Sequence, residues 1–210
     1  RLKSSRELKT MTKVVSSSDL VLSVSKFTRD EIINRLDRID TNHVKFLPNG
    51  VDTNRFFPSK VDDAFLQKYN IPVDSDIILT LARIIKRKAH DDVIKAIPDI
   101  LTEFPKAHYV IAGPHRKKDP YLHYLKQLTK ELSVEKHVTF IDFIPEEDLK
   151  KIYSASKVYV MASRTLHETG DSEGFGITFL EANACGCPVI GSYEGGIPDA
   201  VENEINGLLV

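Results

Sequence analysis

From Asp76 to Gly191 the sequence alternates short apolar runs with amphipathic stretches, and this alternation limits the possible folds more than any other feature. The runs are Ile77-Ile78-Leu79-Thr80-Leu81, Tyr109-Val110-Ile111-Ala112, Val138-Thr139-Phe140-Ile141, Val158-Tyr159-Val160-Met161 and Pro188-Val189-Ile190-Gly191. Each is largely continuous in apolar character, which suits a strand covered on both faces. Between them lie helical patterns: Val93, Ile94, Ile97 and Leu101; then Leu122, Leu125, Leu128 and Leu132; then Glu146 to Tyr153; then Ile177 to Ala184. Five strands separated by helices predict an α/β architecture, a parallel sheet with helices on both faces. Ligands of such sheets bind outside the carboxyl ends of the strands. The loops after Leu81, Ala112, Ile141, Met161 and Ile190 are therefore the places to look for a site.

The sequence before Asp76 is less regular. A polar, helical stretch reaches about Lys13, and Leu20 to Val24 reads as a buried strand. Ser25 or Thr28 then caps a helix carrying Ile32, Ile33 and Leu36, and Val44 to Leu47 reads as another strand. Pro48-Asn49-Gly50 breaks the pattern. The region 48–58 reads as a connection between domains, followed by a short helix around Phe65-Leu66. The first residue is not Met, and Gly207-Leu208-Leu209-Val210 reads like the start of a strand, so a chain cut at both ends is expected.

Composition narrows the class. Hydrophobic residues make up 41% and charged residues 28% of the 210, the mixture of a soluble globular protein. The net charge of -1 gives no global reason to expect nucleic acid as a partner. No stretch approaches the roughly 20 apolar residues that cross a bilayer, and Arg1-Leu2-Lys3 leads into polar sequence, so no signal peptide is expected. Cys185 and Cys187 are too few and too close for a disulfide framework; they read as small, partly buried residues in a reducing, cytoplasmic compartment.

Three constellations can carry chemistry. The loop after Leu81 holds four cations in six residues, Arg83, Lys86, Arg87 and Lys88, where a strand end meets a helix start. A helix N-terminus already favours an anion, and Arg with Lys would complete a diphosphate site; the alternative is a solvated basic turn. Second, Glu173-Gly174-Phe175-Gly176-Ile177 leads into a helix that carries Glu181. Eight residues at helical rise separate the two carboxylates by roughly 12 Å. That spacing suits hydroxyls at the two ends of an elongated ligand, with the glycines letting backbone amides approach it. Third, Tyr193-Glu194-Gly195-Gly196-Ile197-Pro198 can present consecutive N–H groups to a phosphate, or be an ordinary turn.

Other signatures fail. Gly174-x-Gly176 lacks the third glycine of a dinucleotide fingerprint, and the basic loop Gly113-Pro114-His115-Arg116-Lys117-Lys118 lacks Walker A spacing. The seven histidines have no zinc-site spacing, so no metal is expected. No Gly-x-Ser-x-Gly elbow occurs. His167 beside Glu168 reads as a surface pair.

The order of these elements resembles glycosyltransferase family 4, or group 1: Arg83 with Lys88 five residues on, then Glu173, seven residues, Glu181, then Gly195-Gly196. Asn49-Gly50-Val51-Asp52 with Phe56 and Pro58, Gly186-x-Pro188-Val189-Ile190 and Asn206-Gly207-Leu208-Leu209-Val210 extend the likeness to most of the chain from about Ser25. Ala89 departs from the glycine often found at that position. The resemblance implies a GT-B fold, of which this chain would be the C-terminal half, with a Rossmann-like domain. Residues 1–47 would be the tail end of the N-terminal acceptor domain, 48–75 the interdomain connection, and 76–210 the nucleotide-sugar-binding domain without its final helices.

It further implies retaining, metal-independent hexosyl transfer from a nucleoside-diphosphate sugar to a saccharide or lipid-linked acceptor, without a cofactor, in cell-surface polysaccharide or glycolipid synthesis. Arg83 and Lys88 would bind the diphosphate and neutralise the leaving group. Glu173 would hold sugar hydroxyls, with Gly174, Phe175, Gly176 and Ile177 lining that pocket. Glu181 would accept from the ribose, and Gly195-Gly196 would lie near sugar or phosphate. Base recognition would fall to the loops around 113–118 and 141–146. The location implied is cytoplasmic, with room for peripheral association of the full-length enzyme at the inner face of the membrane. The isolated chain would bind nucleotide but transfer sugar poorly or not at all. Two rival readings are a non-catalytic nucleotide-sugar-binding module and a sugar phosphorylase, the latter without any lysine motif for pyridoxal phosphate.

Overall fold

The computed structural model describes residues 5–36, 39–115 and 119–210. Its elements in chain order are α1 (Ser5–Ser16), β1 (Val21–Ser23), α2 (Lys26–Arg35), β2 (Val44–Phe46), α3 (Asp63–Lys68), β3 (Asp76–Leu81), α4 (His90–Glu103), β4 (Ala107–Ala112), α5 (Pro120–Glu131), β5 (Val138–Ile141), α6 (Glu146–Ala155), β6 (Ser156–Met161), α7 (Ile177–Ala184), β7 (Val189–Gly191) and β8 (Leu208–Leu209). Strands β3 to β8 form one sheet in the order β5-β4-β3-β6-β7-β8, with all neighbours parallel. The expected parallel α/β architecture is present, with β8 as a sixth strand.

The reason for continuous apolar strands is visible in β3 and β4. Ile77 and Leu79 belong to the core on one face, with Val110 and Ala112, while Ile78 packs on the other with Tyr109 and Ile111. Helices α4 and α5 cover the second face through Ile94, Ile97, Leu122 and Leu125; α6 and α7 cover the first through Ile152, Tyr153 and Phe179. Burying a side chain of this size contributes about 1.5–3 kcal/mol. A polar residue on either face would forfeit that, which is why period-two alternation is missing.

The first face also takes Phe56, Phe65, Leu66, Tyr69 and Ile71 into its core. The segment read as a connection thus lies packed along the sheet from Phe56 onward. A row of rings crosses this face: Phe56 to Tyr153 at 6.2 Å, Tyr153 to Tyr159 at 5.8 Å, and Tyr159 to Phe179 at 5.5 Å, all edge-on. Such pairs contribute about 0.5–1.5 kcal/mol beyond burial. The Tyr159 hydroxyl, buried at the centre, donates to Thr178 Oγ1 at 2.7 Å.

Strands β1 and β2 form a separate two-stranded parallel sheet. Ser25 caps α2, its hydroxyl accepting from the Thr28 amide at 2.9 Å, as the sequence suggests. The expectation of a buried strand at Leu20 to Val24 is not met. Leu20 and Leu22 are more than half exposed, and in β1 Ser23 is the buried residue. Three-residue strands paired only with each other cover little, and Leu22 is left 54% exposed. Cys185 and Cys187 are free and buried, and burial pushes their thiols up to about 11 and about 12.

Two buried histidines couple this packing to pH. Burial holds both His90 and His108 down to about 4, against 6.5 in an open chain. As pH falls below 6.5 the unfolded chain takes up these protons first, so stability declines until about pH 4, by roughly 3 kcal/mol at most per histidine. We expect urea unfolding midpoints to fall over that window, and His108→Gln to reduce the slope.

Candidate functional site

The strand order changes direction at β3. Chain continuing from β3 leads outward to β4 and β5, then returns to β6 on the other side of β3. A crevice opens at the carboxyl ends of such a pair, and the loops after β3 and β6 flank it.

The loop after β3 is held rigidly. Ile84 is fully buried, and its amide donates to Pro114 O at 3.3 Å. Gly113 crosses so close to the Ala82 carbonyl that an added Cβ would stand 2.0 Å from it. A single 3-10 turn, Lys86–Lys88, then leads to Ala89 at φ 52, ψ 36, the left-handed region. An alanine there costs about 1 kcal/mol, which the burial of its methyl group roughly offsets. This backbone explains why glycine suits the position. His90 opens α4 and donates through Nε2 to the Arg83 carbonyl at 3.2 Å; its burial keeps the ring neutral.

From this loop Lys88 Nζ reaches Glu173 Oε2 in a short ion pair, with Met161 Sδ at 3.0 Å. Arg87 Nη1 donates to the same Oε2 at 2.6 Å, and Arg87 Nε lies 3.4 Å from Asp171 Oδ1. Arg83 is exposed and, among the described residues, pairs with no acid. Burial alone would raise the Glu173 carboxyl, but Lys88 and Arg87 together hold it below the ordinary range. Burial lowers the Lys88 ammonium, and Arg87 and Arg83 lower it further against the pull of Glu173. One buried carboxylate shared by two cations, with a third unpaired beside them, leaves a local positive surplus able to receive an anion.

Helix α7 begins at Ile177, behind Gly176 at φ 88. Glu181 is therefore only four residues into the helix, roughly 6 Å along its axis, and the roughly 12 Å helical separation from Glu173 expected from sequence does not apply. Phe175 and Gly176 are buried, while Ile177 is exposed. Glu181 accepts from the Tyr153 hydroxyl at 2.8 Å. Burial raises its carboxyl, with Tyr153 and Arg55 opposing.

The two glycines after β7 meet this segment directly. A Cβ on Gly195 would stand 2.3 Å from Glu173 O, and one on Gly196 2.0 Å from Gly174 O. The Gly196 amide donates to Glu173 O at 2.8 Å, so that N–H, which the sequence suggested for phosphate, instead ties the turn to the Glu173 loop. Thr165 and Glu194, joined by a short hydrogen bond, add a second tie.

The structure thus gathers Lys88, Glu173, Gly174, Gly195 and Gly196 around one point, with Arg83 at the rim and Glu181 on the adjoining helix face. Sequence reasoning assigned no role to Arg87, Asp171 or Tyr153. A charge run gives no sign of which cation turns inward. Residues 116–118 of the basic loop lie outside the described residues. Among the described residues no group of His, Cys, Asp and Glu could hold a metal ion. A groove of about 910 Å³ runs elsewhere between Val51, Leu180, Pro188 and Ile205 and touches none of these charges.

A six-stranded parallel sheet covered by helices, with cations gathered at its switch point, defines a Rossmann-like α/β domain. The chain belongs to the group 1 glycosyltransferases: the family model "Glycosyl transferases group 1" matches residues 61–210. It is similar to a GDP-mannose-dependent alpha-(1-6)-phosphatidylinositol monomannoside mannosyltransferase of Mycolicibacterium smegmatis, 32% identical over 94% of this chain and 50% of that one. It is also similar to the mannosylfructose-phosphate synthase of Agrobacterium fabrum, 29% identical over 90% of this chain and 40% of that one. Among solved structures, Anabaena HepE in complex with UDP and glucose superposes with a TM-score of 0.84 at 22% identity, covering 99% of this chain and 54% of that one. This places the fold with GT-B proteins. The chain spans about half the length of the curated relatives it matches.

The close approach of the two turns gives a direct test. Gly196→Ala must push the 173–176 backbone aside, at a cost of about 1–3 kcal/mol visible as a lower thermal midpoint. Gly50→Ala, whose methyl would meet nothing within 4 Å, should stay within about 0.5 kcal/mol of wild type.

Proposed function

We propose that this chain is the donor-binding half of a retaining glycosyltransferase that takes a nucleoside-diphosphate sugar without a metal ion. The observation that carries the reading is the shared Glu173 carboxylate beside surplus positive charge at the switch-point crevice. In this reading 76–210 is the donor domain, 48–75 links it to an acceptor domain, and 1–47 is the end of that second domain.

In the reaction the bond between sugar C1 and the diphosphate oxygen breaks. An acceptor hydroxyl oxygen bonds to C1 on the same face, and its proton is released. Negative charge grows on the leaving diphosphate, and Arg83 and Lys88 stabilise it where it develops, taking the part a divalent cation plays elsewhere. Glu173 accepts from donor-sugar hydroxyls, backed by Gly174, Phe175, Gly176 and Ile177, while Gly195 and Gly196 shape the wall behind it. Glu181 accepts from the ribose, with Tyr153 fixing one carboxylate oxygen. The acceptor is a saccharide or lipid-linked saccharide of the cell surface, met at the cytoplasmic face of the membrane, where the full-length enzyme associates peripherally. The names of the mannosyltransferase relatives make GDP-mannose the first donor to try. Alone, the chain binds nucleotide and turns over poorly, because the acceptor residues lie on the other half.

Calorimetric titration with GDP, UDP, ADP and dTDP in EDTA checks this. One nucleotide should bind, and Arg83→Ala/Lys88→Ala should weaken it at least about 100-fold, the loss of two charge-assisted contacts. Binding that survives the double substitution, or that requires Mg²⁺, would refute the assignment.

A further inference from the structure

Arg87 is the inward-turned cation of the loop after β3, and the mechanism above gives it no contact with the donor. Its side chain is only 7% exposed. Nη1 binds Glu173 Oε2 at 2.6 Å, Nε faces Asp171 at 3.4 Å, and its carbonyl accepts from the Arg164 amide at 2.9 Å. Lys88 reaches the same oxygen of Glu173. Two cations on one carboxylate oxygen is more than pairing needs, and the two differ in freedom. The guanidinium is buried, held through Nη1 on Glu173, by the Asp171 charge beside Nε and by its own backbone; the ammonium ends a flexible stem.

We propose that Arg87 is a positioning residue: it keeps Glu173 aimed at the donor sugar while Lys88 transfers from Glu173 to the diphosphate. This rests on the donor-site reading. Were Lys88 the sole partner, its departure would leave a buried carboxylate uncompensated, which is costly. With Arg87 in place the carboxylate stays ionised and oriented, and no proton moves. Asp171, 3.4 Å from Nε, adds a longer ion pair to the same loop that delivers Glu173. The division of labour makes sugar recognition independent of phosphate binding.

The test compares the affinity of the chain for GDP-mannose with that for GDP, and for UDP-glucose with that for UDP. Arg87→Lys keeps the charge and loses the fork; it should weaken the sugar nucleotide about tenfold more than the plain diphosphate. In a Glu173→Gln background the same substitution should leave that ratio unchanged, since Arg87 acts through Glu173. Equal losses on both ligands, or a further loss in the Glu173→Gln background, would overturn the proposal. Arg87→Leu should show a larger effect of the same kind where it folds, and Arg87→Lys decides the matter if it does not. A wild-type chain that binds no nucleotide, or gains nothing from the sugar, overturns the donor-site reading itself before any variant is compared.

Discussion

A parallel strand cannot turn straight back to pair with the next one; it must cross over the sheet, and here helices make most of the crossings. Six strands of this chain obey that constraint, and much of the molecule follows from it. The crossovers cover both faces, so the strands are apolar throughout. Every strand ends at the same edge, so loops far apart in sequence gather there. The return to the other side of β3 parts two of those loops and leaves the crevice between them.

Within that crevice one carboxylate organises the charges. Glu173 is buried enough that it needs partners, and it draws Lys88 and Arg87 inward from a loop 85 and 86 residues earlier in the chain. Among the described residues Arg83 pairs with no acid, and it stays at the rim. The same logic holds at Glu181, where a neutral phenol rather than a cation is the partner. Burial then raises one carboxyl while cations lower the other. Two glutamates of one motif thus meet a ligand in different electrostatic settings, one amid surplus cations and one beside a phenol.

The sheet was legible in the sequence because hydrophobic periodicity reports burial directly. Strands β3 to β7 and their helices lie within a few residues of where the apolar runs place them. The motif residues were legible as types at spacings. Other features depend on three-dimensional neighbours that no local pattern records. Arg87 looks like Lys86 in a charge run, yet one is buried and the other exposed. Tyr153 reads as one more apolar position of α6. Leu22 has strand character, but the small sheet gives it no cover. The left-handed backbone at Ala89 is hidden because alanine does not advertise it as glycine would.

At Gly113, Gly195 and Gly196 one strand of backbone lies across the carbonyl of another with no room for a methyl group. These crossings fix the frame of the site, whereas Arg83 stands outside any packing constraint. The frame and the charges are therefore exposed to inheritance differently. A descendant freed from selection for chemistry could lose Arg83 and still fold, but a side chain at any of the three crossings would disturb the fold itself. In a lineage that drifts away from catalysis, the glycines should outlast the cations they surround.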